Sequence, residues 1–299
     1  MMKRVIKIFI FVLCCLSIKA QHYPTFSQYI VNGLAINPAY AGRNGVMDVT
    51  MSHRRQWLGF NGSPVTTAFS LNTPLRQKAI GVGMSVIDDK IGPFSNQLIS
   101  GIYSYRVRVG KYKLSFGLQS GIAISKANYD ALARNQQQDA LINGQRLVNI
   151  GFISGAGVYL HNKQLFAGLS APYLVNTLNS DFLKENPIIL TGGYFIGLDR
   201  DHGLKPSILV RYVHNSPVSG DINLNYYYKY QFGFGISYRT NKSLVGIAEF
   251  GISHQLRVCY SYDCELNRLK KYQSGSHEIL IRYYFGYNIN AKNPRTMFL

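Results

Sequence analysis

The stretch Gln231–Arg239 sets the strictest limit on what this chain can become. Phe232, Phe234, Ile236 and Tyr238 fall on one parity, and Gln231, Gly233, Gly235, Ser237 and Arg239 on the other. A β-strand turns successive side chains to opposite faces, so the segment has one bulky apolar face and one small or polar face. Period 2 over nine residues excludes an amphipathic helix. Two environments remain: a sheet packed on one side in a soluble protein, or a membrane barrel with lipid outside and a polar interior.

The pattern recurs along the chain. Strand-like segments are read at 46–57, 65–71, 79–87, 97–109, 112–124, 152–160 and 165–171. They continue at 188–198, 207–214, 222–228, 231–239, 244–252, 256–262 and 278–287. Tight turns are expected at Gly110-Lys111 and Asn241-Lys242, and long polar connections at 125–148 and 176–187, with a helical turn near 129–134. Fourteen segments is an even number, and short turns alternate with longer connections, as in outer-membrane barrels. A sandwich fills its polar parity with Lys, Glu and Thr. Here that parity is mostly Gly, Ser and Gln, while Tyr and Phe crowd the strand ends as interfacial aromatics do. The expected fold is therefore all-β, a transmembrane antiparallel β-barrel of about 14 strands. No apolar run after residue 20 is long enough for a spanning helix.

Four units are expected. Residues 1–20 read as a signal peptide, with basic Lys3, Arg4 and Lys7, an apolar core and a cleavage site after Ala20. Cys14 and Cys15 suggest lipidation, but Val12-Leu13 are too large for that cleavage site. Residues 21–44 lack alternation and form a short non-strand segment at or inside the barrel, since an irregular backbone cannot face hydrocarbon. Residues 45–287 form the barrel and 288–299 a tail.

Removing residues 1–20 takes away four cations and no acid, so the formal charge falls from +18 to +14. For an exported chain this favours an anionic lipid or acidic partner over nucleic acid. Cys259 and Cys264 lie five apart, on opposite faces of one strand, and are read as free thiols.

No enzyme is expected. There is no Gly-x-Ser-x-Gly elbow, and a lipase would need a Ser–His pair that no motif supplies. His277 and Glu278 are adjacent, hence on opposite faces, so they cannot share a metal; no metal or cofactor is expected. Asp88-Asp89 are read as caps of a turn completed by Gly92-Pro93. Tyr260-Ser261-Tyr262-Asp263 is read as a turn or an aromatic girdle. Arg54, Arg55 and Trp57 are the candidate partner-binding residues: arginines beside the single Trp can grip a carboxylate or an extended backbone.

Several motifs resemble the PorP/SprF family. They are Phe26-Ser27-Gln28-Tyr29, Asn37-Pro38-Ala39-Tyr40-Ala41-Gly42, Arg55-Gln56-Trp57-Leu58-Gly59-Phe60, Asn72-Thr73-Pro74-Leu75, Asp88-Asp89-Lys90-Ile91-Gly92-Pro93, Tyr260-Ser261-Tyr262-Asp263 and Ser274-Gly275-Ser276-His277-Glu278-Ile279. Their order spans residues 21–287. Gln28, Asn37, Pro38, Tyr40, Gly42, Asp89, Gly92, Pro93, Asp263, Ser274, Gly275, His277 and Glu278 carry the resemblance. It implies a bacterial outer-membrane barrel of the type IX secretion and gliding system. Such a barrel serves secretion or surface anchoring of a large adhesin-like protein through that protein's C-terminal sorting domain. Implied partners are membrane lipid, this passenger and periplasmic machinery components. Cys259, Cys264 and the tail depart from the pattern. The alternative is a general porin or small-solute channel, which would conduct solutes as a purified barrel.

Overall fold

A computed structural model describes residues 26–29, 31–75, 79–128, 146–178, 186–214 and 216–286. The signal peptide, the helical turn expected at 129–134 and the tail 288–299 lie outside the described residues. Fourteen antiparallel strands form one sheet. They are β1 (Met47–Arg55), β2 (Val65–Pro74), β3 (Ile80–Ile91), β4 (Phe94–Val109), β5 (Tyr112–Asn128), β6 (Arg146–His161) and β7 (Leu165–Asn176). β8 runs Ile188–Tyr194 and resumes after Phe195 as Ile196–Gly197; then come β9 (His202–Tyr212), β10 (Ser219–Tyr228), β11 (Phe232–Arg239), β12 (Ser243–Gly251), β13 (Leu256–Glu265) and β14 (Ser276–Phe285). Each strand pairs with the next. β1 also pairs with β14, Met47 facing Phe285 and Arg55 facing His277, which closes the barrel.

Burial is inverted relative to a soluble protein. The enclosed side chains include Asp48, Arg54, Asn72, Asp89, Asp221, Arg239, Asp263, Glu278 and Arg282, whereas Leu118, Ile150, Ile222, Leu224, Phe234, Ile236 and Ile279 stand outside. Phe234 is 56% and Ile236 63% exposed, while Gly233 and Gly235 on the alternate parity face inward. Monomeric soluble proteins do not leave an apolar wall of this extent in water. Lipid is the solvent that makes it favourable, and closure leaves no unpaired edge in that solvent. Exposed aromatics gather toward the strand ends. Tyr103, Tyr105, Phe116, Tyr194, Tyr228, Phe232, Phe250 and Phe285 lie toward one rim, and Tyr212, Tyr238, Tyr260 and Tyr262 toward the other. Amphipathic rings favour such headgroup depths.

Local chemistry explains the turns and breaks. Gly110 takes φ +58° and closes the Val109–Tyr112 hairpin, and Lys242 takes φ +67° in the turn into β12. Pro172 has no N–H for the ladder, and the β6–β7 register shifts opposite it between Ser154 and Ala156. At Phe195 the strand expected over 188–198 is interrupted. The ring packs inward near Tyr227 and Tyr230, with centroids 6.4 and 6.0 Å away.

Three expectations on strand boundaries are corrected. β3 continues to Ile91, so Asp88 and Asp89 are strand residues, not turn caps, and only Gly92-Pro93 makes the turn. β5 and β6 extend to Asn128 and from Arg146, so the connection expected at 125–148 shortens to 129–145. Tyr260–Asp263 lies within β13 and is no turn. Cross-strand pairing carried these segments past the point where their own patterns fade.

Among the described residues, 56–64, 92–93, 177–178, 186–187, 213–214, 216–218, 240–242 and 266–275 lie at one end of the barrel. The other end carries 75, 79, 110–111, 162–164, 198–201, 229–231 and 252–255, together with the chain entering β1 and leaving β14.

Candidate functional site

Strand parity brings Arg54 of β1, Asp221 of β10, Arg239 of β11, Asp263 of β13 and Glu278 of β14 to the inner face. They meet as one charge cluster. Arg54 Nη2 lies 2.6 Å from Asp263 Oδ2, and Arg54 Nη1 lies 3.3 Å from Glu278 Oε2. Arg239 contacts Asp221 at 3.0 Å and Asp263 at 3.2 Å. Such charges are tolerable away from water only when each has partners.

Ser27 of the N-terminal segment sits at the centre. Its N–H donates to Glu278 Oε2 at 2.8 Å and its hydroxyl to the Asp263 carboxylate at 2.9 Å. Its Oγ in turn accepts from Arg54 at 2.6 Å and from Arg239 at 3.3 Å. Gln28 Nε2 donates to the Glu278 carbonyl at 3.1 Å. The next turn is held by Arg282, which donates to the Val31 carbonyl at 2.5 Å and to Asp48 at 3.1 Å. Asn72 links Asp48 to Gly42: it donates to the carboxylate at 2.8 Å and accepts from the Gly42 N–H at 2.9 Å.

The described part of the segment contains two 3-10 turns, Gly33–Ala35 and Pro38–Tyr40. Asn37 caps the second by accepting from the Ala39 N–H at 2.9 Å, and Pro38 occupies the first helical position, where its missing N–H costs nothing. Asn37 Nδ2 also donates to the Val158 carbonyl at 3.0 Å. Ala39 and Ala41 are fully buried, and the Tyr40 ring meets Tyr159 edge-on at 5.7 Å. Gly42 takes φ +67°, and its carbonyl accepts from Arg106 at 3.2 Å. The barrel wall makes room with glycine. A Cβ on Gly117 would lie 2.1 Å from the Ala39 nitrogen, and one on Gly81 would lie 2.2 Å from the Ala41 oxygen. Burial pushes the Tyr29 phenol well above its ordinary range, so it stays neutral beside Asn223, with which it hydrogen-bonds. A cavity of about 30 Å³ beside Tyr29, Tyr40 and Tyr159 has the volume of roughly one water.

The three residues expected to form a docking surface are separated. Arg54 is 1% exposed and committed to the cluster, so it is closed to any incoming protein. Arg55 is exposed, and Trp57, half-buried, follows at the rim with φ +47°. Its backbone N–H donates to Ser276 Oγ at 3.1 Å. Adjacent strand residues point to opposite faces, so Arg54 and Arg55 cannot act as a pair.

The other motif residues are largely structural. Asp89 accepts from Thr66 Oγ1 at 2.5 Å inside the barrel. The Gly92 N–H donates to the Gly62 carbonyl at 2.9 Å, and the Pro93 carbonyl accepts from Asn128 at 2.9 Å. Ser274 and Gly275 tie Leu58 to the chain entering β14, through bonds of 2.8 Å in each direction. His277 points outward and shares a 2.6 Å hydrogen bond with the Tyr260 hydroxyl. Cys259 and Cys264 are free. No group of metal-ligating side chains occurs among the described residues.

Sequence reasoning missed Ser27, Asp221, Arg239, Asp48 and Arg282 as members of the interior network. A usable signal existed: each of the four charged residues sits on the small, polar parity of its strand, where a charge must find a partner.

The family model of the type IX secretion system membrane protein PorP/SprF matches residues 18–283. No curated protein matches the sequence. Among solved structures, the toluene transporter TbuX of Ralstonia pickettii is similar at 10% identity and a TM-score of 0.51, covering 86% of this chain and 94% of that one. A mutant of the monoaromatic hydrocarbon channel TodX gives the same identity, coverage and score. These likenesses concern the barrel fold alone.

Proposed function

We propose that this chain, which belongs to the PorP/SprF family of type IX secretion system membrane proteins, is an outer-membrane platform that retains or exports a partner surface protein. The observation that carries this reading is the occupied interior. Residues 26–29 and 31–42 pack against the inner wall and are held by Arg54, Asp263 and Glu278 at one level and by Arg282, Asn72 and Arg106 at another. A barrel filled by its own chain is poorly suited to be a general porin, and its accessible chemistry lies at its rims.

Outer-membrane barrels carry short turns on the periplasmic side and longer loops outside. The end where β1, β5, β7 and β13 finish, each followed by nine or more residues before the next strand begins, is therefore assigned to the cell surface. Arg55 and Trp57 stand at that rim. Exposed Phe60, Leu266 and Tyr272 lie on the same set of connections. Aromatic and arginine anchors dominate protein interfaces, so this rim is the surface offered to the passenger's C-terminal sorting domain. Arg54, in contrast, serves the interior.

The test is the double substitution Arg55→Ala/Trp57→Ala in cells. Folded barrel is followed by heat-modifiable gel migration and the passenger by surface labelling. The expected result is wild-type barrel with the passenger lost from the surface or retained inside. Wild-type display on a folded variant barrel would refute the site. Solute-dependent conductance of the purified barrel in a planar bilayer would favour the porin alternative.

A further inference from the structure

The outer face of β1–β5 carries a basic row at the end assigned to the cell surface. Register places Arg55 of β1 opposite Val65 of β2, Val65 opposite Lys90 of β3, Lys90 opposite Ser95 of β4, and Ser95 opposite Lys126 of β5. The alternate parity holds Arg54, Thr66, Asp89, Asn96 and Ser125, all buried, so the row itself points away from the lumen. Arg55, Lys90 and Lys126 are exposed.

Two residues further into the span, the matching row is polar: His53, Thr67, Asp88 and Gln97. His53 Nδ1 lies 3.0 Å from Thr67 Oγ1, and Gln97 donates to Asp88 at 3.2 Å. Asp88 also meets Lys90 Nζ at 3.1 Å, yet the Lys90 side chain stays 60% exposed. Two residues further still the row is apolar, running Met51, Phe69, Val86, Ile99 and Ile122. Met51, Ile99 and Ile122 are exposed. On β9, β11 and β13 the same rim presents Tyr212, Tyr238, Tyr260 and Tyr262 instead. Aromatic rings suit headgroups in general, whereas cations select anionic ones.

We propose that this face binds a phosphorylated glycolipid of the outer leaflet. Its phosphates meet Arg55, Lys90 and Lys126, its sugar hydroxyls meet the polar row, and its acyl chains lie on the apolar row. The order of the rows selects this ligand. Lysine and arginine make charge-assisted bonds to phosphate, and their long stems can lie along an apolar wall. An acidic soluble peptide has no use for the apolar row, and a lipid with a single small headgroup leaves the polar row unused. The cations stand on alternate strands, so neighbours are separated by about 10 Å across the sheet. One free phosphate cannot bridge that distance, but a sugar backbone bearing separated phosphates can.

The inference rests on the orientation given under the proposed function, since the reverse orientation would set this row against inner-leaflet phospholipid. It does not rest on passenger retention. Arg55 belongs to that reading as well, so the test substitutes Lys90 and Lys126, which do not. The full chain is purified from outer membranes, freed of bound lipid in detergent and titrated with a fluorescent, core-truncated lipopolysaccharide. Saturable binding is expected, weakened at least tenfold in Lys90→Gln/Lys126→Gln on a barrel that stays heat-modifiable. Lys126→Gln alone leaves the Lys90–Asp88 pair intact and is expected to cost about fivefold, the ordinary worth of one cation at an anionic membrane surface. Lys163→Gln, on a turn at the opposite end, is expected to keep affinity within about twofold. Dephosphorylated lipopolysaccharide is expected to bind at least tenfold more weakly.

Absence of saturable binding overturns the proposal, as does unchanged affinity in Lys126→Gln. An equal loss in Lys163→Gln reduces the effect to net charge and also overturns it. Equal binding of the dephosphorylated lipid removes the phosphate from the argument. Equally tight, Lys126-dependent binding of phosphatidylglycerol means a phospholipid site and refutes both the glycolipid and the orientation. Displacement by an equal concentration of inorganic phosphate means a small-anion site. Because the purified barrel holds no passenger, failure here leaves the role of Arg55 and Trp57 in surface display to its own test.

Discussion

Arg54→Met removes the cation that joins three strands to the N-terminal segment. In the native protein Arg54 contacts Asp263 at 2.6 Å, Glu278 at 3.3 Å and Ser27 Oγ at 2.6 Å, with all four groups enclosed. After substitution, Asp263 still has Arg239 at 3.2 Å, but Glu278 keeps only the Ser27 N–H at 2.8 Å among its side-chain bonds. Asp221 and Asp263 then share the one remaining guanidinium, Arg239, while Glu278 is left without an ion-pair partner. Removing one member of a buried ion pair typically costs about 3–5 kcal/mol, and the upper part of that range is expected because one arginine serves two acids here. Urea unfolding of the barrel in lipid vesicles, followed by tryptophan emission, measures the loss. Adding Glu278→Gln should return part of it, since the stranded charge is then gone; a coupling of about 0.5–3 kcal/mol is expected in the double-mutant cycle. Arg54→Lys should fall between, because a single ammonium cannot present a guanidinium's fork to both acids. Limited proteolysis should cut within 26–42 in Arg54→Met before it cuts the barrel. Wild-type stability with wild-type protection of this segment would refute the cluster as its anchor.

Two further substitutions probe the wall from either side. Gly117→Ala places a methyl 2.1 Å from the Ala39 nitrogen and 2.3 Å from the Pro38 carbonyl carbon; backbone cannot rotate aside, so a loss of about 1–3 kcal/mol with earlier proteolysis near residue 39 is expected, and unchanged protection would refute the close packing. Phe234→Arg puts a charge on the lipid face and should cost about 2–4 kcal/mol if it lies near the midplane, measured by the same unfolding assay; cysteine labelling by a lipid-soluble probe should mark Phe234→Cys and not Gly235→Cys, and the reverse would overturn the assignment of faces.

The sequence by itself determined the architecture of this protein. Alternation in Gln231–Arg239 and its thirteen counterparts is a local property, because a side chain's face depends only on its place along its own strand. Bulky apolar parity against small polar parity therefore announced both the barrel and its orientation toward lipid. The absence of alternation in 28–42 was equally local, and Asn37-Pro38 carried its own capping chemistry. Strand ends were less legible: Asp88–Ile91 and Ala127-Asn128 extend because a partner strand is there to receive their hydrogen bonds. The interior cluster was beyond sequence reasoning, although parity marked each member as inward. Ser27 and Glu278 are separated by 251 positions, and only closure of β1 onto β14 brings the latter beside Arg54. The same closure divided Arg54 from Arg55: adjacency in sequence suggested a pair, but the pleat sent one into a network of carboxylates and left the other at the rim. Tertiary structure likewise brings Arg43, Lys111 and Lys163, which belong to separate turns, to the wall of one cavity at the barrel's mouth.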